Sequence, residues 1–190
     1  AKNKSWRARV LIISQHARLL HLPFPRHTVY RLNAAWIKSV KELDFLLKKI
    51  KNDIFLDFPQ GRTKPPKPVL ALNDMIEAMH KNTNIKYFAI TNVKKPEQID
   101  DIREKVPSRI KLVPKIESKS GIDNLEKIFK KLKRGERHIM LDKEDLYNDM
   151  GSHKELFERY VEKALACSKK KRISVLELQG VIFSDEMPRN

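Results

Sequence analysis

Short apolar runs alternate with amphipathic helical segments along this sequence. The runs are nearly continuous in apolar residues, which is typical of strands covered on both faces. A strand followed by a helix, repeated about six times, predicts an α/β fold with a parallel sheet and right-handed crossovers. Periodicity alone leaves open whether the sheet is doubly wound or a closed barrel. In either fold, functional residues are expected at the carboxyl ends of the strands.

The predicted elements follow from this pattern. The strands are Val10–Ser14, Thr28–Asn33, Asp53–Phe58, Tyr87–Thr91, Lys111–Glu117, His138–Asp142 and Ile173–Leu178. The helices, each with apolar residues at helical spacing, are Ala35–Lys49, Asn73–His80, Pro96–Lys105, Ser120–Leu132 and Ser152–Ala166. We expect Trp36 and Val40 to be buried in the first helix and Asn73 to cap the second.

The length of 190 residues predicts a single domain, 1–190. A complete eight-stranded (β/α) barrel usually needs roughly 250 residues, so any barrel here is expected to be shortened or incomplete. The single Cys167 excludes an internal disulfide framework and a multi-cysteine zinc site, which suits a reducing compartment. No apolar run reaches the roughly 18 residues of a membrane span. We therefore predict a cytoplasmic protein.

The chain is strongly basic, with 40 Lys and Arg against 24 Asp and Glu and a net charge of +16. The densest runs are KKIK (48–51), KKLKRGER (130–137) and SKKKR (168–172), each after a helical pattern and before a predicted strand. Cations are favourable at helix C-termini, so solvated helix ends explain the runs. A surface for nucleic acid or an anionic membrane is the alternative. It is not favoured, because most aromatic residues fall in the apolar phase of their elements.

The stretch KLVPKIE (111–117) carries the most informative polar residues. Side chains alternate along a strand, so Lys115 and Glu117 share one face near its carboxyl end. Burying both is costly unless they pair with each other or bind something. Asp145 follows the next strand, and neighbouring strands are about 4.8 Å apart, so Glu117 and Asp145 could hold one Mg²⁺. The alternative is a Lys115–Glu117 ion pair and an unrelated capping Asp145.

A second group follows the earlier strands. Arg31 and Asn33 share a strand face, and Asp57 ends the adjacent strand. An Arg inside a parallel sheet suggests a phosphate or carboxylate partner, which its planar fork binds bidentately. A structural pair between Arg31 and Asp57 is the alternative. The sequence has no GxGxxG, Walker or GxSxG motif and no HxxxH or HExxH spacing.

The order of RLN (31–33), LDFPQGRT (56–63), FAITNVKKPEQIDDIRE (88–104), VPKIESKSGIDNLEKI (113–128) and IMLDKEDL (139–146) resembles the catalytic barrel domain of pyruvate kinase. The resemblance covers about Tyr30 to Asp145. It implies a shortened TIM-type (β/α) barrel of the phosphoenolpyruvate/pyruvate superfamily. It also implies that Lys115 stabilises an enolate and that Glu117 and Asp145 hold Mg²⁺ or Mn²⁺.

The same resemblance assigns roles to residues of the earlier strands. Arg31 would contact a transferred phosphoryl group, with a catalytic role. Asn33 and Asp57 resemble ligands of a monovalent-cation site for K⁺, and Arg62 resembles the arginine of a GPEIRTG-type segment that binds substrate.

Several departures from the pyruvate kinase pattern change the expected activity. Only TKPPKP (63–68) stands where a lid domain is inserted, and nothing resembles the C-terminal domain of those enzymes. Ala35 replaces a serine, Glu144 replaces a glycine, and Leu178 stands at or near the position of a threonine. Ordinary pyruvate kinase activity is therefore not expected.

Three functional interpretations follow. The first is a Mg²⁺-dependent enzyme acting on phosphoenolpyruvate, pyruvate or another 2-oxo acid through an enolate. The second is an aldolase or citrate lyase-type C–C lyase, a related barrel with a turn that resembles DLYNDMG (145–151). The third is a non-catalytic barrel remnant that serves as a binding or assembly module. An incomplete barrel leaves edges uncovered, so we also expect a homo-oligomer or a partner subunit.

Overall fold

The computed structural model describes residues 28–61 and 65–177. Its strands are β1 (Tyr30–Asn33), β2 (Ile54–Asp57), β3 (Ile85–Ile90), β4 (Lys111–Ile116), β5 (His138–Leu141) and β6 (Ser174–Glu177). Its helices are α1 (Val40–Lys49), α2 (Leu72–Lys81), α3 (Glu97–Arg103), α4 (Lys119–Asp123), α5 (Leu125–Lys131), α6 (Lys143–Asp149) and α7 (Lys154–Lys170). The predicted strand Val10–Ser14 lies outside the described residues.

The strand order in the sheet is the chain order, from β1 to β6. The pairs β1–β2, β4–β5 and β5–β6 are parallel. A doubly wound sheet reverses its strand order at a switch point, and this order does not reverse within the described residues. The predicted α/β class is confirmed, and the sequential order is compatible with a partial (β/α) barrel.

The chain divides into two compact units, with the boundary between Tyr87 and Phe88 inside β3. Many of the buried side chains of the first unit come from α1, β2 and α2, among them Leu43, Leu47, Ile54, Phe55, Met75 and Met79. Many of those of the second unit come from its strands and from α3, α5 and α6, among them Ile99, Leu112, Ile116, Ile128, Met140 and Leu146. The single domain 1–190 stays a prediction.

The start of α1 differs from the predicted helix. Ser39 caps α1, because its Oγ accepts a hydrogen bond from the backbone N–H of Glu42. The carboxylate of Glu42 in turn accepts from the N–H of Lys38, the residue before the cap. A separate 3-10 turn, Ala34–Trp36, precedes this cap. The predicted burial of Trp36 and Val40 was wrong, since they are 59% and 45% exposed.

Other helix boundaries also depend on local hydrogen bonds. The backbone N–H of Ala71 donates to the Asp74 carboxylate at the start of α2, so the predicted N-cap Asn73 was wrong and lies inside the helix. The predicted helix 120–132 is two helices that meet at Asn124. Helix α6 was not predicted at all. In the part of the chain described, no helix combines the length and apolar character that a membrane span requires.

Candidate functional site

The carboxyl end of β4 places a cation and an anion side by side in the second unit. Lys115 and Glu117 are 4% and 8% exposed. The Nζ of Lys115 lies 3.1 Å from Oε1 of Glu117. The alternation of strand side chains predicted that these two residues share a face, and their contact agrees with it. The ion pair that the sequence left as an alternative is therefore present, and it lies where a parallel sheet carries its functional residues.

The neighbouring strand β5 brings two more carboxylates to the same place. Ile116 is in register with Leu141, so Glu117 and Asp142 are the residues that directly follow this pair on the two adjacent strands. The N–H of Asp142 donates to the carbonyl of Ile116 at 3.2 Å. Asp142 is also the N-cap of α6, because its Oδ1 accepts from the N–H of Asp145 at 3.2 Å. The first turn of α6 thereby holds Asp145 beside Asp142.

Three carboxylates form a cluster at this point. One oxygen each of Glu117, Asp142 and Asp145 lies within 4.8 Å of the other two. The sequence predicted Glu117 and Asp145 but missed Asp142. The signal that could have identified it was its position as the last residue of a predicted strand, directly beside the strand that ends in Glu117.

The electrostatics of the cluster favour a bound cation. Burial raises the pKa of Glu117, and the nearby Asp142 and Asp145 raise it further, while the adjacent Lys115 opposes both effects. A divalent cation would offset the repulsion among the three carboxylates. Carboxylate oxygens are the ligands that Mg²⁺ prefers, with water or substrate completing its coordination. The residues present therefore fit a divalent metal.

The residues predicted around Arg31 lie in the first unit. Asn33 is in register with Asp57, and both end their strands. The Nε of Arg31 donates to Oδ2 of Asp57 at 3.0 Å, and Asp57 is fully buried. The side chain of Asn33 accepts from the N–H of Ala35 at 3.0 Å. The bond between Arg31 and Asp57 is that of the structural pair, and the bond of Asn33 belongs to a local turn. The roles of these residues in phosphoryl or cation binding stay predictions.

Two sets of predicted residues are thus assembled, each within its own unit. Lys115, Glu117 and Asp145 lie together in the second unit, joined by Asp142. Arg31, Asn33 and Asp57 lie together in the first. Arg62 and Leu178 fall outside the described residues.

Comparison with known proteins bears on the fold alone. No protein-family model matches the sequence, and no curated protein matches it. A solved structure, that of a HpcH/HpaI aldolase/citrate lyase family protein from Burkholderia cenocepacia J2315, superposes with a TM-score of 0.60 at 11% sequence identity. The match covers 84% of this chain and 73% of that one. The chain is therefore similar in fold to a member of the aldolase/citrate lyase family.

Proposed function

We propose that this protein is a divalent-metal-dependent enzyme that acts on phosphoenolpyruvate, pyruvate or another 2-oxo acid through an enolate. The observation that carries the proposal is the contact of a buried lysine with a three-carboxylate cluster at the carboxyl ends of β4 and β5. A structural ion pair needs one anion for one cation. Here the lysine contacts Glu117, one of three carboxylates whose oxygens lie within 4.8 Å of one another, and such oxygens are the ligands that a divalent metal ion takes.

Glu117, Asp142 and Asp145 would hold the metal, with Mg²⁺ as the ion that suits hard oxygen ligands and Mn²⁺ as a substitute. When bound, the metal would polarise the carbonyl and carboxylate oxygens of the substrate. Asp142 would contribute a second effect by capping α6, which fixes the first turn that carries Asp145.

Lys115 would supply the positive charge that an enolate oxygen requires. Its ammonium group is almost fully buried and already lies against a carboxylate. In a buried site, a fixed cation stabilises a developing oxyanion more strongly than water does. Lys115 therefore has the charge, burial and position for this role.

A C–C lyase is the second candidate. The fold likeness to an aldolase/citrate lyase family protein favours it over phosphoryl transfer. So does the short stretch 63–68, which leaves little chain for a lid over the phosphates. In a retro-aldol reaction, cleavage of a 4-hydroxy-2-oxo acid releases an aldehyde and leaves the enolate of pyruvate, which is then protonated. Both candidates share that enolate.

The first test is calorimetric titration of oxalate, which mimics enolpyruvate, with and without Mg²⁺. We expect oxalate to bind the wild type only when Mg²⁺ is present. Glu117→Gln should weaken that binding by at least about tenfold, about 1.4 kcal/mol. Glu104→Gln, at an exposed residue of the same unit, should bind as the wild type does.

Measurement of substrate turnover then distinguishes a lyase from a phosphotransferase. A lyase releases pyruvate from a 4-hydroxy-2-oxo acid, whereas a phosphotransferase consumes phosphoenolpyruvate only with ADP. Exchange of the methyl protons of pyruvate in D₂O would detect the enolate by itself. If oxalate binds under no condition, the enzyme proposal fails and the remnant interpretation, a binding or assembly module, takes its place.

A further inference from the structure

A cavity of about 270 Å³ lies in the second unit, where α5 and α7 end and β5 and β6 begin. Its apolar lining is Phe129, Leu132 and Ile173. The N–H of Ser174 donates to the carbonyl of Arg137 at 2.7 Å, which joins the two chain segments at this place. The carboxylate cluster lies at the other end of β5, so the two sites are separate.

Five cations surround this cavity. They are Lys130, Lys133, Arg134, Arg137 and Lys171, and all are exposed. We call this cavity with its five cations the basic groove. Two of the three basic runs of the sequence supply its residues, so the structure brings 130–137 and 171 to one surface.

The cations of the basic groove differ in their pairing with carboxylates from other lysines of the same unit. Lys131, Lys163 and Lys143 each pair with a carboxylate, at 2.5, 2.6 and 2.7 Å. Across residues 28–61 and 65–177, none of the five groove cations forms such a pair. No carboxylate of the described part of the chain neutralises them, and such an arrangement attracts an external anion.

Two carboxylates line the groove within residues 28–61 and 65–177, and one of them is already neutralised inside the protein. Glu136 is 5% exposed and accepts hydrogen bonds from Arg103 at 2.9 and 2.7 Å. It also accepts from the N–H groups of Leu112 and Lys133. Glu126 is the remaining acidic residue. The groove therefore has a clear excess of positive charge.

The arrangement favours a chain of phosphates over a single one. Five exposed cations on two segments are more than one phosphate monoester, with a charge of about −2, would neutralise. Two of them are arginines, which bind phosphate bidentately. Among the described residues of the lining Phe129 is the one aromatic residue, and it is only 8% exposed, so this part of the chain presents no ring for base stacking. Recognition would then be of the backbone, without regard to base sequence.

We propose that the basic groove binds the sugar–phosphate backbone of a nucleic acid. Each cation that meets a phosphate releases a counterion, so binding should weaken steeply between about 50 and 200 mM salt. This binding is independent of the proposed enolate chemistry.

The test is fluorescence anisotropy of a labelled short RNA duplex with the full chain, over a range of salt concentrations. A triple variant, Lys130→Gln, Arg134→Gln and Arg137→Gln, should raise Kd at least about tenfold and lower the salt slope by about 2 to 3. The control is Lys94→Gln, Lys95→Gln and Lys154→Gln, which removes the same charge from exposed residues away from the groove. Circular dichroism confirms that both variants are folded.

Four results would overturn the proposal. The first is that the wild type does not bind the duplex at about 50 mM salt. The second is that both triple variants lose affinity equally, which would indicate net charge and not the groove. The third is that inorganic tripolyphosphate displaces the duplex at stoichiometric concentration, which would indicate a small phosphorylated ligand. The fourth is that vesicles rich in phosphatidylserine bind and RNA does not.

Discussion

A methyl group on Gly121 would lie 2.6 Å from the carbonyl oxygen of Val93, closer than carbon and oxygen atoms can approach. Gly121 is the glycine of KIESKSG, and Val93 belongs to NVKKPEQ. Two separate sequence motifs therefore meet in one backbone contact. The N–H of Val93 also donates to the carbonyl of Lys115 at 2.9 Å, so the contact supports the strand end that carries the buried lysine.

We expect Gly121→Ala to destabilise the fold by about 1–3 kcal/mol. Alanine inside a helix is normally more stable than glycine by about 0.5–1 kcal/mol, so the steric contact reverses the usual sign. Displacement of Val93 should also weaken Mg²⁺-dependent oxalate binding. Urea denaturation measures the first effect and calorimetry the second. Lys127→Ala, an exposed helical substitution, is the control, and a Gly121→Ala variant more stable than the wild type would contradict the argument.

Asp142 has two roles that substitution can separate. Asparagine caps a helix about as well as aspartate, so Asp142→Asn should keep the stability of α6 while it removes one ligand charge. Mg²⁺ affinity should fall about tenfold or more. Asp142→Ala loses the cap as well, at a further cost of about 1 kcal/mol in stability. Calorimetric Mg²⁺ titration and urea denaturation of both variants check this. Equal Mg²⁺ affinity in Asp142→Asn and wild type would exclude Asp142 as a ligand.

Lys115 should oppose metal binding while it promotes substrate binding. Lys115→Met leaves Glu117 buried without its cation, which should cost about 3 kcal/mol in the absence of metal. Added Mg²⁺ can then take the place of the lost charge, so Mg²⁺ should raise the melting temperature more in Lys115→Met than in the wild type. Oxalate binding should be lost.

Lys115→Arg keeps the positive charge and is the matched variant. It should respond to Mg²⁺ as the wild type does. If Mg²⁺ stabilises Lys115→Met no more than the wild type, Glu117 is not a metal ligand.

The site residues that could be predicted are those set by strand geometry. Alternation along β4 is enough to place Lys115 and Glu117 on one face, and the order of parallel strands brings Asp145 near them. Asp142 could have been included as the last residue of a predicted strand, but its role as the N-cap of α6 could not be foreseen, because a seven-residue helix is too short to be recognised by periodicity.

The start of the first helix was predicted wrongly for a related reason. Trp36 falls in phase with the apolar residues of α1, so its spacing predicted burial. The cap at Ser39 starts the helix after Trp36, and a hydrogen bond between two nearby groups decided the boundary against the longer pattern. The sequence correctly placed the basic runs of the second unit at helix ends. It could not predict the cavity between these two runs, because the cavity depends on how the helices and strands pack.

Glu136 should make the stability of the protein depend on acid pH. Burial by itself raises the pKa of this carboxyl group, but hydrogen bonds from Arg103, Leu112 and Lys133 outweigh burial, so the pKa lies below its ordinary value of 4.5. A lowered pKa in the folded state means that the unfolded chain binds the proton more readily. The resulting stability is fully present above about pH 4.5 and is lost as pH falls through the lower, folded-state pKa.

Glu136→Gln removes this contribution. At about pH 7 the variant should be less stable than the wild type by about 2 kcal/mol, and the difference should shrink below pH 4.5 as the wild-type carboxylate is protonated. Urea denaturation across this pH range measures it. Glu77→Gln, whose pair with Lys81 is exposed, should differ little from the wild type at any pH. A Glu136→Gln difference that stays constant from neutral to acid pH would show that side-chain packing, and not the charge of Glu136, stabilises this end of the sheet.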